Sequence, residues 1–168
     1  MAGKTHLKDL KDNFERDLVR AFSKLGVDAM NDAYAKKRFK RRTGNLEDSY
    51  GSAVFVRGKV VQSTMKFLGG NPISKKKDSK THKTGRETVK DYFLKWSWGK
   101  GEDEVVLVVI AAMYYAGILE KEHYYNVISP ARDFINSSWQ TYINPIYAKY
   151  GIKEKPAARV IQGDRLRR

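Results

Sequence analysis

A chain of 168 residues with 33 Lys and Arg against 19 Asp and Glu carries a formal charge of +14. It is long enough to bury roughly 70% of its unfolded surface and to fold as one domain without a staple. Having no cysteine, it is denied disulfides and thiolate metal sites, and its longest apolar run, Val105 to Tyr115, falls short of the roughly 20 residues a membrane span needs.

The opening segment MAGKTHLKDLKDNFERD is too charged for a secretory signal, so the expectation is a soluble protein made in the cytoplasm. From Leu7 the apolar positions Leu7, Leu10, Phe14, Leu18, Ala21, Phe22 and Leu25 step by threes and fours, the mark of one amphipathic helical face. Val27, Met30, Ala33 and Tyr34 resume the stripe, which predicts one long helix over about residues 5–40. A bend is expected near Gly26, where glycine costs about 1 kcal/mol relative to alanine. The last turns carry Lys36, Lys37, Arg38, Lys40, Arg41 and Arg42, a net +6 that suits the negative end of the helix dipole but exceeds what a cap requires.

Thr43-Gly44-Asn45 breaks that helix, and Thr43 or Asn45 can cap a short turn through Leu46 and Ser49. Two Val- and Phe-rich stretches, 53–57 and 59–68, predict strands, and Gly58 between them predicts a tight hairpin. Gly69-Gly70-Asn71-Pro72 closes the second strand. The stretch 73–89 has almost no apolar residue and no period, so it cannot offset its ordering entropy and is expected to be a mobile basic arm, spanning 69–90, inserted in the sheet. Within it Lys75 to Lys90, opening on Lys75, Lys76 and Lys77, nets +5.

Tyr92 to Trp98 alternates well enough to predict a strand, followed by a turn through Gly99 and Gly101. Val105 to Ala112 is the most apolar stretch and is expected to be a central strand covered on both faces. Met113 to Glu120 predicts a short helix. Ser129-Pro130 starts the last one, with Ser129 as N-cap, running through Phe134, Ile135, Trp139 and Tyr142 until Asn144-Pro145 ends or kinks it. The expected fold is α+β: a long N-terminal helix, an antiparallel sheet of about four strands with an inserted basic arm, and a C-terminal helix. Residues 1–150 form the domain and 151–168 a basic tail, of which Lys153 to Arg168 nets +4. The three basic segments together carry +15, leaving −1 for the rest, so a nearly neutral body bears three cationic patches. Charge localised in this way points to a polyanionic partner, the alternative being a solvated basic surface.

No group of residues suggests catalysis. His6 lies near the N-terminus and His82 in the arm, so neither is positioned as a base. Glu120, Glu122 and His123 cluster without the spacing of a zinc motif, and ion pairing explains them better. Walker-type GxxxxGK[ST], GxGxxG and GxSxG are all absent. The expectation is a protein that is not an enzyme and uses no cofactor or metal. Tyr114, Tyr115, Tyr124, Tyr125, Trp96, Trp98 and Trp139 suit a core or a subunit interface better than a base-stacking surface.

Three stretches in this order carry a likeness: Arg42-Thr43-Gly44-Asn45-Leu46-Glu47-Asp48-Ser49, Tyr115-Ala116-Gly117-Ile118-Leu119-Glu120, and Ile128-Ser129-Pro130-Ala131-Arg132-Asp133-Phe134. Over residues 5–145 the chain resembles the tail-completion, or head-to-tail joining, proteins of tailed bacteriophages. It departs from them at Glu122, where the family usually has Gly, and in the length of the arm. The resemblance implies a virion protein of the neck, assembled in the host cytoplasm as a ring of identical subunits with six-fold or twelve-fold symmetry. That ring would join the portal or head-closure protein to the tail terminator or tail tube and surround the DNA channel. Thr43, Gly44, Leu46, Ser49, Lys75, Lys76, Lys77, Tyr115 and Glu120 are then candidate subunit or partner contacts. Lys36, Lys37, Arg38, Lys40, Arg41 and Arg42 are candidates to face an acidic partner or, without sequence preference, the genomic DNA. The rival reading is a free basic nucleic-acid-binding protein.

Overall fold

The helix foreseen at the N-terminus is α1, Ala2–Lys36, 35 residues long. The computed structural model describes residues 2–40, 44–65, 76–95, 97 and 104–153. After α1 come α2 (Asn45–Asp48), β1 (Tyr50–Val56), β2 (Lys59–Met65), α3 (Gly85–Lys95), β3 (Val105–Ala111), α4 (Ala116–Lys121) and α5 (Ser129–Lys149). The fold is α+β, with a three-stranded antiparallel sheet in the order β2-β1-β3 among the described residues.

β1 is covered on both faces. Successive residues of a strand point to opposite sides, so Gly51 and Ser52 each meet a different helix. A Cβ on Gly26 of α1 would lie 2.8 Å from Cβ of Ser52, and a Cβ on Gly51 would lie 2.6 Å from Val89 of α3. Gly26 therefore brings α1 close to the sheet. On the α1 side Ala29, Met30 and Ala33 pack with Tyr50, Leu46, Met113 and Val127. On the α3 side Ala53 and Phe55 pack with Val89 and Phe93. All seven residues of β1 are buried, while all seven of β3 are only half-buried.

Arg57 and Gly58 turn the hairpin with φ of 50° and 78°, so both central residues are left-handed and Val56 pairs with Lys59. Such a turn matches the right-handed twist of the strands. The Arg57 guanidinium pairs with Glu15 and fastens the hairpin to α1.

α5 lies along α1. Phe14 sits edge-on to Tyr147 and Tyr150 at 5.5 and 5.2 Å. Lys149 Nζ and Tyr150 Oη both donate to Asp17 Oδ2, at 2.7 and 3.0 Å. The hydrogen bond from Lys149, then that from Tyr150, hold the Asp17 carboxyl below its ordinary 3.8, and Asp17 in turn raises Lys149 above 10.5. The lowered carboxyl pKa stabilises the fold above pH 3.8 and loses this effect as pH falls through the folded value; the raised ammonium pKa acts below 10.5 and loses it as pH rises. Asp17→Asn should therefore lower the melting temperature slightly at neutral pH, and thermal melts at acid pH should show the gap to the natural chain closing.

Four sequence expectations are corrected. The strand over Tyr92 to Trp98 is instead the second half of α3 as far as Lys95, because Val89, Tyr92 and Phe93 recur at helical spacing under a Thr84–Glu87 capping box. In that box Glu87 N donates to Thr84 Oγ1 and Thr84 N to Glu87 Oε2, which holds the Glu87 carboxyl below its usual range. The basic arm is ordered from residue 76 onward, as a turn followed by α3; its earlier part, like the tail from residue 154, lies outside the described residues. Among the described residues Val105–Ala111 lies at an edge of the sheet, and the central place belongs to β1, YGSAVFV. The N-cap of α5 is Ile128, not Ser129, and the helix continues through Pro145 to Lys149, so Pro145 does not end it.

Candidate functional site

The candidate residues gather around α2, a single turn that the sequence builds in a particular way. Gly44 takes φ 82°, a left-handed conformation that glycine adopts freely, and delivers the chain into the turn. Leu46 drops into the core beside Tyr50 and Ala116. Ser49 Oγ donates to Leu46 O at 2.8 Å, and Ala112 N donates to Ser49 O at 3.0 Å, tying the turn to the end of β3. Gly44, Leu46 and Ser49, candidate subunit contacts in the sequence, are thus buried inside their own subunit.

Asn45, 2% exposed, links this turn to the lysine-rich segment. Its Nδ2 donates to Lys76 O at 2.9 Å and its Oδ1 accepts from Gly85 N at 3.2 Å, so one amide grips both ends of residues 76–85. Between them Asp78 Oδ1 accepts from Lys80 N and Thr81 N, each at 2.9 Å. Lys83 pairs with Asp91 of α3, and this contact lowers the Asp91 carboxyl pKa. Lys80 Nζ lies 4.7 Å from the ring centre of Tyr114. The result is a fixed strap with Lys76 and Lys77 exposed on it. The fit at Gly85 is tight, since a Cβ there would come 1.9 Å from Asn45 O, a backbone atom. Gly85→Ala should displace the strap while leaving the sheet, which limited proteolysis would detect as new cleavage among the lysines of residues 76–83.

The basic run after α1 divides in two. Lys37 turns inward, 4.0 Å from the Tyr34 ring centre and 5.4 Å from that of Phe39, and pairs with Glu47, whose side chain is 1% exposed. Lys37 therefore does not face an outside partner, because its charge answers a buried carboxylate. Lys36 pairs with Asp32 at 2.9 Å with its side chain still 61% exposed. Arg38 and Lys40 are exposed, and among the described residues neither has an acidic partner. Arg41, Arg42, Thr43 and Lys75 lie outside the described residues.

Glu120 has a structural task. Its carboxylate accepts from the backbone N–H groups of Val127, Ile128 (3.0 Å) and Ser129 (2.9 Å), the last two being donors that a helix start leaves without intrahelical partners. α4 thus caps α5, and Glu120, a candidate subunit contact in the sequence, is engaged within its own subunit. The buried Tyr50 hydroxyl donates to Val127 O and fixes the same loop to the sheet; burial raises its pKa. Tyr115 is half-buried against the core, edge-on to Tyr114 at 5.2 Å.

The loop after α4 carries two residues in the left-handed region, Tyr124 and Asn126, with φ of 52° and 53°. Backbone bonds hold it: Arg38 N donates to Tyr125 O at 2.9 Å and Tyr125 N to Leu119 O at 3.1 Å. Tyr124 stands 76% exposed beside the Lys36 to Lys40 run. No sequence signal selected this loop. α2, the strap and the α4 region, far apart in sequence, are therefore in contact, through Asn45 with Lys76 and Gly85, Lys80 with Tyr114, and Leu46 with Ala116; Arg38, Lys40, Lys76, Lys77, Tyr114 and Tyr124 are exposed.

Among the described residues no group of three or more His, Asp or Glu side chains is placed to hold a metal, and no helix is long and apolar enough to cross a membrane. Comparisons with family models, with curated proteins and with solved structures find no match.

Proposed function

We propose that this chain is a structural subunit of a tailed-phage neck, one copy in a ring that joins the DNA-filled head to the tail. The observation that carries the reading is the contact among the three stretches that resemble the tail-completion proteins: Leu46, Ala116 and Ala131 share one core cluster, and Glu120 accepts from the backbone N–H groups of Ile128 and Ser129. Beside them Asn45 holds Lys76 and Gly85, and Lys80 lies over Tyr114. A basic face of this kind, repeated around a ring of six or twelve, would present its cations to an acidic connector surface or to duplex DNA, which carries one negative charge per ~1.7 Å of axis. Proteins on either side, of the portal or head-closure and the tail-terminator or tail-tube kinds, are the partners the reading calls for. It needs no catalysis and no cofactor.

Labelled chain located in purified virions by electron microscopy tests the reading, which expects density between capsid and tail. Its absence from that collar overturns the proposal. Lys76→Glu with Lys77→Glu should leave the fold intact and reduce the yield of joined particles.

The exposed Arg38, Lys40 and Tyr124 favour a second reading, a free nucleic-acid-binding protein. It expects the isolated chain to bind duplex DNA with log affinity falling by about 0.9 per phosphate neutralised for each tenfold rise in salt. The neck reading expects only weak binding without sequence preference.

A further inference from the structure

We propose that α4 and the loop after it form the surface on which this chain docks a protein partner, with Tyr124 as the anchor that enters an apolar recess edged by carboxylates. Among the described residues nine large apolar side chains are exposed, and four of them, Tyr114, Ile118, Tyr124 and Tyr125, fall within twelve residues of chain. Tyr114 and Ile118 are four residues apart across the start of α4, the spacing of neighbours on one helical face. The loop then folds back on the helix: Glu122 N donates to Ile118 O at 2.9 Å and Tyr125 N to Leu119 O at 3.1 Å. Exposed aromatic and aliphatic side chains grouped in this way mark an interaction surface.

Two features of this surface work against the stability of the free chain. Gly117 sits in α4, where glycine weakens a helix, and a Cβ there would meet nothing within 4 Å. Packing within its own subunit therefore does not call for glycine at that point, whereas the close approach of a partner does. Tyr124 holds φ 52°, a left-handed conformation that strains a bulky residue, and its ring stands 76% exposed. The strained loop is fixed all the same. Arg38 N donates to Tyr125 O at 2.9 Å, and the Glu120 carboxylate accepts from Ile128 and Ser129 just beyond the loop. An aromatic ring on a fixed loop is a pre-formed anchor, which loses little freedom on binding. The charges around it set the chemistry of the partner. Arg38 and Lys40 are exposed beside the loop, Lys121 is exposed on α4, and Lys80 Nζ lies over Tyr114, while Glu122 is the one exposed acid between Tyr114 and Tyr125. A complementary recess is edged by Asp and Glu. Ile118 and the bare backbone at Gly117 suit a protein better than a nucleic acid, which would use only the rings and the cations.

The docking surface rests on the neck reading only for placing its partner in the neck. The full-length chain with Tyr124→p-benzoylphenylalanine, made in its own host cells and irradiated, should cross-link to one peptide of a different protein, with Asp or Glu beside the link. Adding Gly117→Leu should remove that link while the melting temperature holds or rises, because leucine enters open space and favours the helix. A link to nucleic acid, to a second copy or to a peptide without Asp or Glu overturns the proposal, as does no link at all. A link that Gly117→Leu leaves unchanged, or a Gly117→Leu chain that melts lower than the natural one, overturns it too. The neck reading fails separately: a chain found at the collar without a link at position 124 sinks only the docking surface, and a linked chain missing from the collar sinks only the neck.

Discussion

Replacing Lys37 with Met should lower the free energy of unfolding by about 3–5 kcal/mol, the usual cost of leaving a buried charge without its counterion. The Glu47 carboxylate is 1% exposed and the Lys37 side chain 20%, so water cannot take over the role of the ammonium. The cation–π contacts of Lys37 with the two aromatic rings around it are lost as well. Urea unfolding at neutral pH is the measurement, with a fall in midpoint expected at constant slope. Lys37→Arg should keep most of the stability. The double variant Lys37→Met, Glu47→Gln should be more stable than Lys37→Met alone, since it removes the stranded charge; strict additivity would mean that the two groups do not act as a pair. The consequence for assembly is indirect. Glu47 lies in the turn that positions Asn45, so losing Lys37 should also loosen the strap that carries Lys76 and Lys77.

Glu120→Ala should lower stability by about 3 kcal/mol, the order expected when several hydrogen bonds to one ionised acceptor are lost at a helix start. Three backbone donors lose their acceptor together, and α5 loses its only described cap. Hydrogen exchange gives the specific signature: the amides of Val127, Ile128 and Ser129 should exchange faster in the variant than those in the middle of α5. Glu120→Gln retains an acceptor oxygen without the charge and should fall between the two. A Glu120→Ala chain as stable as the natural one, but unable to assemble, would return Glu120 to the role of a subunit contact.

The sequence was most legible where local physics decides. The stripe from Leu7 to Tyr34 requires a helix whatever packs on it, and α1 is there. Gly58 between two β-branched stretches requires a tight turn, and the hairpin is there. The strand order was less legible. Val105–Ala111 reads as central because apolar content is taken as a measure of burial, yet the central strand is YGSAVFV. Two helices press on it so closely that Gly51, Ser52 and Ala53 suit it better than larger residues. α3 was legible in principle: Thr84 and Glu87 form a capping box, and Val89, Tyr92 and Phe93 keep helical spacing. The Lys-rich context masks it, because residues 73–89 taken together are polar and without period. At the candidate site, Gly44, Leu46 and Glu120 read as contacts between subunits, and the structure gives each of them a task inside its own. Their spacing cannot tell a side chain that grips a neighbour from one that grips its own chain. The Lys37–Glu47 and Asn45–Gly85 contacts depend on tertiary closeness and left no trace in the sequence.

The clamp between α1 and α5 has a consequence for synthesis on the ribosome. Lys149 follows Asp17 by 132 residues, so α1 is synthesised well before the helix it pairs with. At typical elongation rates that delay is on the order of 10 s. Throughout it, the apolar stripe of α1 that α5 will cover stays uncovered. The nascent chain must therefore either dock α1 provisionally on the hairpin, through Glu15 and Arg57, or offer that stripe to a chaperone.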